Sequence, residues 1–400
     1  MAGWVAAKWD RSASIDMLCM SLPGLAGRWL NLRIPLMSID HSWVSKRRTW
    51  GAAMSVITWS LQALALGCHP ARRHDGQHWL PTDKRRMHSS GAPLAFRGAL
   101  CQVTGDWKAY KELFRVPQFN ETAGCCYKCR VVPTGIRDTG AGAQWRQDRL
   151  DHWSFIARLN AQGLDHSPLF SAPGFRLPIV RLDWLHVMDL GVCADWLGQF
   201  FRFVLRKFDG QTDATRIAAL WHQVQHLYTV YPPFAKLDNL TLNMLSPAAR
   251  APKLRCYGSE SRGLIPVARH LAEELLDQAD PLEQAVHQAT IELALCCRAA
   301  ATGAHTAAHS RRFAGLYAAL ENRAPESFRI KPKLHFMQEL CEMEDGRPMT
   351  HSTYREEEFG GSVAALGRRL GGHNTAASVG THTLLKFCAR HKVPCVGAED

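Results

Sequence analysis

Residues 100–110 read LCQVTGDWKAY. The apolar run Leu100–Thr104 has the length and composition of a short strand, and Gly105-Asp106 ends it. Trp107, Tyr110, Leu113 and Phe114 then recur at helical spacing, which predicts an amphipathic helix over 107–114. A carboxylate placed at a strand end behind a flexible glycine suits a divalent cation such as Mg²⁺, which takes oxygen ligands. The same Asp106 is equally well placed to cap the helix by accepting a backbone N–H, and the spacing alone leaves both roles open.

Upstream, residues 33–39 (RIPLMSI) predict a strand and residues 52–68 (AAMSVITWSLQALALGC) a buried helix. Residues 69–91 are dominated by His, Arg, Asp, Gly, Ser and Pro, which is loop chemistry, and His74-Asp75-Gly76 is the most conspicuous group in them. Downstream come the cysteine cluster of 124–130 (GCCYKCR), a Gly- and Thr-rich loop over 133–147, and a second strand candidate over 177–182 that ends at Asp183-Trp184-Leu185-His186. Helical patterns then run over 192–231 and 266–320, joined by a Pro-containing linker at 246–261. Further helices are expected over 354–370 and 381–390, separated by Gly371-Gly372. Strands early and helices late predict an α/β (α+β) chain whose core carries a large all-helical insertion. The expected boundaries are a core over 1–190 that includes the Cys-x-x-Cys segment, an insertion over 191–330, and C-terminal helices over 331–400 that return to the core.

The 400 residues are 46% hydrophobic and 21% charged, which excludes a disordered chain or a fibrous repeat. Lys and Arg exceed Asp and Glu by 12, so an acidic partner is expected, nucleic acid being the usual one; a solvated basic surface is the plainer reading. The 13 cysteines are expected to be reduced, because Met1-Ala2-Gly3-Trp4-Val5 lacks the pattern of a secretory signal. Residues 52–68 sit at the short limit for a membrane span and contain Ser55, Thr58, Ser60 and Gln62, so no membrane partner is expected. Neither a P-loop, a G-x-G-x-x-G, a G-x-S-x-G nor an H-E-x-x-H occurs, which argues against the common nucleotide-binding, serine-hydrolase and zincin chemistries.

Cys126-x-x-Cys129 has the spacing at which two thiolates reach one tetrahedral Zn²⁺, but it is half a site. Asp183 and His186, the former 54 residues after Cys129, supply chemically suitable partners; Cys125 competes with Asp183 for the fourth position. The plainer alternatives are buried small thiols and a hydrogen-bonded histidine. Glu356-Glu357-Glu358 is an acidic cluster at a helix start, where the helix dipole by itself favours carboxylates.

Taken in order, Gly105-Asp106-Trp107-Lys108-Ala109-Tyr110, Cys126-x-x-Cys129 and Leu182-Asp183-Trp184-Leu185-His186 resemble the middle of cut-and-paste DNA transposases of the CACTA (En/Spm) type. The resemblance implies a partial RNase H-like core with a helical insertion, and an Asp-Asp-Glu site in which two Mg²⁺ ions would cut and join DNA strands. Asp106 then resembles the second acid, and Glu357, within the Tyr354–Phe359 block, the late one. Lys331-Pro332-Lys333-Leu334-His335 resembles the basic segment before the late acid. The first acid should lie on an early central strand; Asp40 and Asp75 are its nearest substitutes, and neither carries a motif. Cys126, Cys129, Asp183 and His186 would hold a structural zinc. With no recognisable DNA-binding domain ahead of the core, the resemblance implies a truncated or decayed transposase: a nuclear, DNA-binding protein open to homo-oligomerisation, whose ancestral strand cutting and joining is expected to be lost and, where retained, to be that of a Mg-dependent transposase or nuclease. The alternatives are a zinc-stabilised DNA- or protein-binding module, and an unrelated helical protein.

Overall fold

The computed structural model describes residues 2–8, 14–22, 33–245, 251–344, 347–370 and 376–392. The protein is mostly helical with one small mixed sheet, an α+β chain. It divides into two compact units, one formed by Met1–Gln118, Leu150–Arg181 and Thr353–Asp400, the other by Phe119–Arg149 and Leu182–Ser352. These boundaries differ from those expected: the Cys-x-x-Cys segment groups with the helical unit, not with the sheet.

The sheet of the first unit has the order β3-β2-β1-β4, with β1 Ala2–Lys8, β2 Ser14–Met20, β3 Ile34–Asp40 and β4 Val103–Thr104. β1–β2 and β2–β3 are antiparallel, whereas β4 runs parallel to β1. Alternation along β2 sends Ile15, Met17 and Cys19 to one face, where they pack with Phe359, Val363, Ala364 and Val379 from the helices Tyr354–Arg369 and Ala376–His391. Leu18 and Met20 point to the other face and line a small apolar cavity with Met54 and Leu61 of the helix Lys46–Leu66 and Tyr110 and Leu113 of the helix Trp107–Phe114. The sheet is thus covered by helices on both faces.

The helix over 107–114 has the bounds its spacing predicts. The strand ahead of it is shorter than expected, only Val103–Thr104, and residues 177–182 are not a strand. Pro178 lacks the N–H that a ladder needs, so Leu177–Ile179 forms a 3₁₀ turn and only Val180 bridges to Val103, in parallel. The Tyr110 hydroxyl ties the helix back by donating to the Arg181 carbonyl at 2.6 Å. The helix predicted at 52–68 spans Lys46–Leu66 and stops where Gly67 takes a left-handed conformation, φ 74°, and donates its N–H to Ala63. No helix among the described residues is long and apolar enough to cross a membrane. Residues 246–250 of the expected linker and the Gly371-Gly372 break lie outside the described residues.

The second unit is built from the helices Ala194–Val204, Asp213–Val230, Gly258–Leu275, Pro281–Thr302, Ala307–Arg323 and Lys333–Gln338. Trp196 is fully buried at its centre, with its ring 5.3 Å from Phe313, 5.2 Å from Tyr317 and 5.7 Å from Phe328. π-helical turns at Leu185–Cys193 and Glu339–Met343 interrupt the regular helices. Such wide turns concentrate at functional sites.

Candidate metal centre

Residues 119–149 contain little regular structure, so local hydrogen bonds and side chains fix their path. Cys125 N–H donates to the Val131 carbonyl at 2.9 Å, Cys129 pairs with Arg149 in an antiparallel bridge, and Arg130 N–H reaches the Asp148 carbonyl at 3.0 Å. Inside this loop the Lys128 N–H donates to Cys126 Sγ at 3.3 Å, a charge-assisted bond if the sulfur is a thiolate. Both Cys126 and Cys129 are fully buried.

Facing them is the helix Lys333–Gln338 and its π-helical continuation. His335 and Glu339, four residues apart and therefore on one helix face, are buried and point at the thiols. The ligand atoms of Cys126, Cys129, His335 and Glu339 all lie within 4.8 Å of one another. Cys129 Sγ is 3.5 Å from His335 Nε2, Cys126 Sγ is 4.0 Å from Glu339 Oε1, and His335 Nε2 is 3.7 Å from the same oxygen. A tetrahedral zinc with Zn–S near 2.3 Å and Zn–N and Zn–O near 2.0–2.1 Å would separate its ligands by about 3.3–3.8 Å. The group therefore has both the donor chemistry and nearly the spacing of such a site, and it can hold a metal ion such as zinc.

The surroundings fit that function. Burial pushes the Cys126 thiol up, but hydrogen bonds from Cys129 and His335 outweigh it and hold Cys126 well below the usual thiol range. Its partner Cys129 is pushed up, first by the hydrogen bond to Cys126 and then by burial. Burial, and then the Cys126 charge, raise the Glu339 carboxyl; Arg149, at 2.7 Å from Glu339 Oε1, works against both. Arg146 makes the neighbouring contact, pairing with Glu342 one turn along while its guanidinium covers the Trp145 ring at 4.4 Å. Trp145 in turn meets the His335 ring edge to face at 4.7 Å. Loop and helix are thus clasped by two arginine–glutamate pairs of matching spacing. His335 Nδ1 and Glu339 Oε2 are buried without a hydrogen-bond partner.

Two of the four ligands expected from the sequence, Cys126 and Cys129, are in this group; Asp183 and His186 are not. Those two pair with each other, His186 Nδ1 against Asp183 Oδ2, and Asp183 also accepts the N–H groups of Leu185 at 3.1 Å and His186 at 3.0 Å. Cys125 is also outside the group, with its Sγ 3.3 Å from the Val131 carbonyl. The residues that complete the quartet, His335 and Glu339, were not expected as ligands. The signal was present, because His335-x-x-x-Glu339 is a ligand pair at helical spacing that starts at the last residue of the basic segment 331–335.

The carboxylates expected to hold Mg²⁺ are not gathered. Asp106 caps the helix it precedes, accepting the Ala109 N–H at 2.6 Å. Glu357 is exposed; its neighbour Glu356 is the buried one, in an ion pair with Arg33 at 2.8 Å. Asp75 is an exposed turn residue 3.1 Å from Arg73, and Asp40 accepts the Ser42 N–H at 2.9 Å. None of them joins two other ligand-type residues among the described residues. The sheet sharpens the point: the strand beside β4 is β1, and its sequence AGWVAAK carries no acid for the first position. These residues do not fit a two-metal centre.

A scan against protein-family models matches none to the chain, and a search of curated proteins finds none similar to it.

Proposed function

We propose that this chain is a zinc-stabilised nucleic-acid-binding protein of transposase descent that does not carry out two-metal strand transfer. The observation that carries the reading is the convergence of Cys126 and Cys129 with His335 and Glu339, from segments 206 residues apart, into a buried donor set of zinc chemistry. The order β3-β2-β1-β4, with three antiparallel strands and β4 parallel to β1, supports an RNase H-like core, the fold that the transposase resemblance implies. The net charge of +12 supports a phosphate-bearing partner, held with salt-dependent affinity. The capping role of Asp106 and the acid-free β1 favour binding over catalysis.

Zinc bound here would be structural. Four protein donors leave no open position for a substrate, and the ion would lock the loop of 119–149 onto the helix at 333–343. The test is the metal content of the purified chain. One zinc per chain is expected, lost in Cys126→Ser and in His335→Ala but retained in His186→Ala. A folded wild-type chain without zinc, or loss of zinc only in His186→Ala, would overturn the reading. Mg²⁺-dependent cleavage of DNA by the purified chain would overturn the non-catalytic part alone.

A further inference from the structure

The loop that follows Gly67 carries six Lys and Arg residues between His69 and Arg97 against two acids, together with four histidines. Both acids are engaged locally: Asp75 with Arg73 at 3.1 Å, and Asp83 Oδ2 with the Leu80 N–H at 3.2 Å. This loop folds against the helix Lys46–Leu66 and closes over a cavity of about 490 Å³, within the range of small-ligand sites. Trp59 from the helix and Trp79 from the loop line it, with rings 6.0 Å apart edge to face. Each indole is pinned by its own N–H: Trp59 Nε1 donates to the Arg72 carbonyl and Trp79 Nε1 to the Pro70 carbonyl, both at 3.2 Å. Arg85, Arg86 and His69 complete the polar wall, and Arg86 stands 5.3 Å from the centre of the Trp79 ring. Among the described residues, no acidic one lines the cavity.

We infer that this cavity is a binding site for an unpaired base of a single-stranded nucleic acid, with Arg85 and Arg86 on the flanking phosphates. The inference rests on the nucleic-acid-binding reading above and names the form of nucleic acid. Its physical content is the combination of two anchored indoles, which offer surfaces that any base can stack on, with exposed arginines and no carboxylate, which favour the backbone. A duplex hides its base faces in the stack and exposes only base edges, sugar and phosphate, none of which can stack on an indole, so the site distinguishes single from double strands. The indole N–H groups are consumed by the protein, which leaves the rings to contribute stacking without base selectivity.

The test is fluorescence anisotropy of a labelled oligothymidine of about 20 nucleotides and of a duplex of equal length, titrated with the full-length chain from about 50 to 200 mM salt. The single strand should bind more tightly than the duplex. Trp79→Ala should weaken single-strand binding by about 5- to 150-fold, the range for loss of one stacked base, and leave duplex binding unchanged. Arg85→Gln/Arg86→Gln, two substitutions at exposed positions whose folding is checked by thermal melt, should lower the slope of log affinity against log salt by about 1.4 for the single strand. Single-strand affinity unaltered in both variants, or binding to duplex alone, would overturn the inference while leaving the proposed function in place. Zinc in the chain with no binding to either nucleic acid would overturn both the inference and the nucleic-acid reading.

Discussion

Replacing Arg149 by Met should weaken zinc binding without touching a ligand. Two thiolates and a carboxylate around Zn²⁺ leave one negative charge in a fully buried site, and Arg149, 2.7 Å from Glu339, is placed to neutralise it. Met keeps much of the side-chain volume but removes both the charge and the hydrogen bond that orients the glutamate. Outer-shell substitutions of this kind cost about 10- to 100-fold in metal affinity, which is about 1.4–2.7 kcal/mol. By linkage, the zinc-loaded protein loses the same stability. For a cooperative unit of about 150–250 residues that is a fall in Tm of roughly 3–11 °C. The assay pairs a competition titration against a zinc chelator with thermal melts recorded with and without chelator. The difference between Arg149→Met and wild type should shrink once zinc is stripped, and Arg149→Lys should recover part of the affinity. Equal zinc affinity in wild type and Arg149→Met would refute the charge argument, and so would a melting difference that persists undiminished in the apo protein.

Three further outcomes follow from the geometry. Asp106→Ala should cost about 0.5–2 kcal/mol by urea denaturation, the price of a lost helix cap, while Asp106→Asn should cost almost nothing. Burial raises the Glu344 carboxyl, but Lys128 at 2.8 Å and His351 at 3.1 Å outweigh it and hold the group at about 2. A depressed carboxylate stabilises the fold above its unfolded pKa of about 4.5 and loses that contribution as pH falls toward 2; the loss is about 3 kcal/mol, and a Glu344→Gln chain should not show it in denaturation midpoints across that window. Trp196→Ala, which empties the aromatic centre of the helical unit, should destabilise it by about 3–5 kcal/mol in the same assay.

What the sequence made legible was local. The amphipathic spacing of Trp107, Tyr110, Leu113 and Phe114 gives its helix to the residue, and the Cys-x-x-Cys spacing gives half of the metal group. β2 escaped because Asp16 sits in the middle of SIDMLCM; the structure buries it beside His41, at 2.9 Å, where it breaks the apolar run but not the alternation. β1 escaped because AGWVAAK is short of β-branched and aromatic residues, and its place is fixed by seven register pairs with β2, not by propensity. Asp183 and His186 look like a ligand pair for the reason that they are a pair: the spacing that would let them share a metal also lets the histidine bond to the aspartate.

His335 and Glu339 were harder to find because a metal site assembled by tertiary structure leaves no mark of its distance in the chain. Loop-closure entropy grows only with the logarithm of the span, so joining Cys129 to His335 across 206 residues costs about 2 kcal/mol more than closing a span of about 20. Zinc coordination in folded peptides contributes about 10–16 kcal/mol, which makes that difference minor. Sequence proximity is therefore a weak guide to which ligands meet, and need is a better one. The loop of 119–149 has almost no ladder or helix to hold it, yet its cysteines are fully buried. Something must supply the missing constraint. The arginine–glutamate clasp supplies part of it, with one member of each pair still partly exposed at Arg149 and Arg146. Zinc held by the four-donor group would supply the rest where no solvent reaches, so a chelator should release this loop before it disturbs the helices behind it.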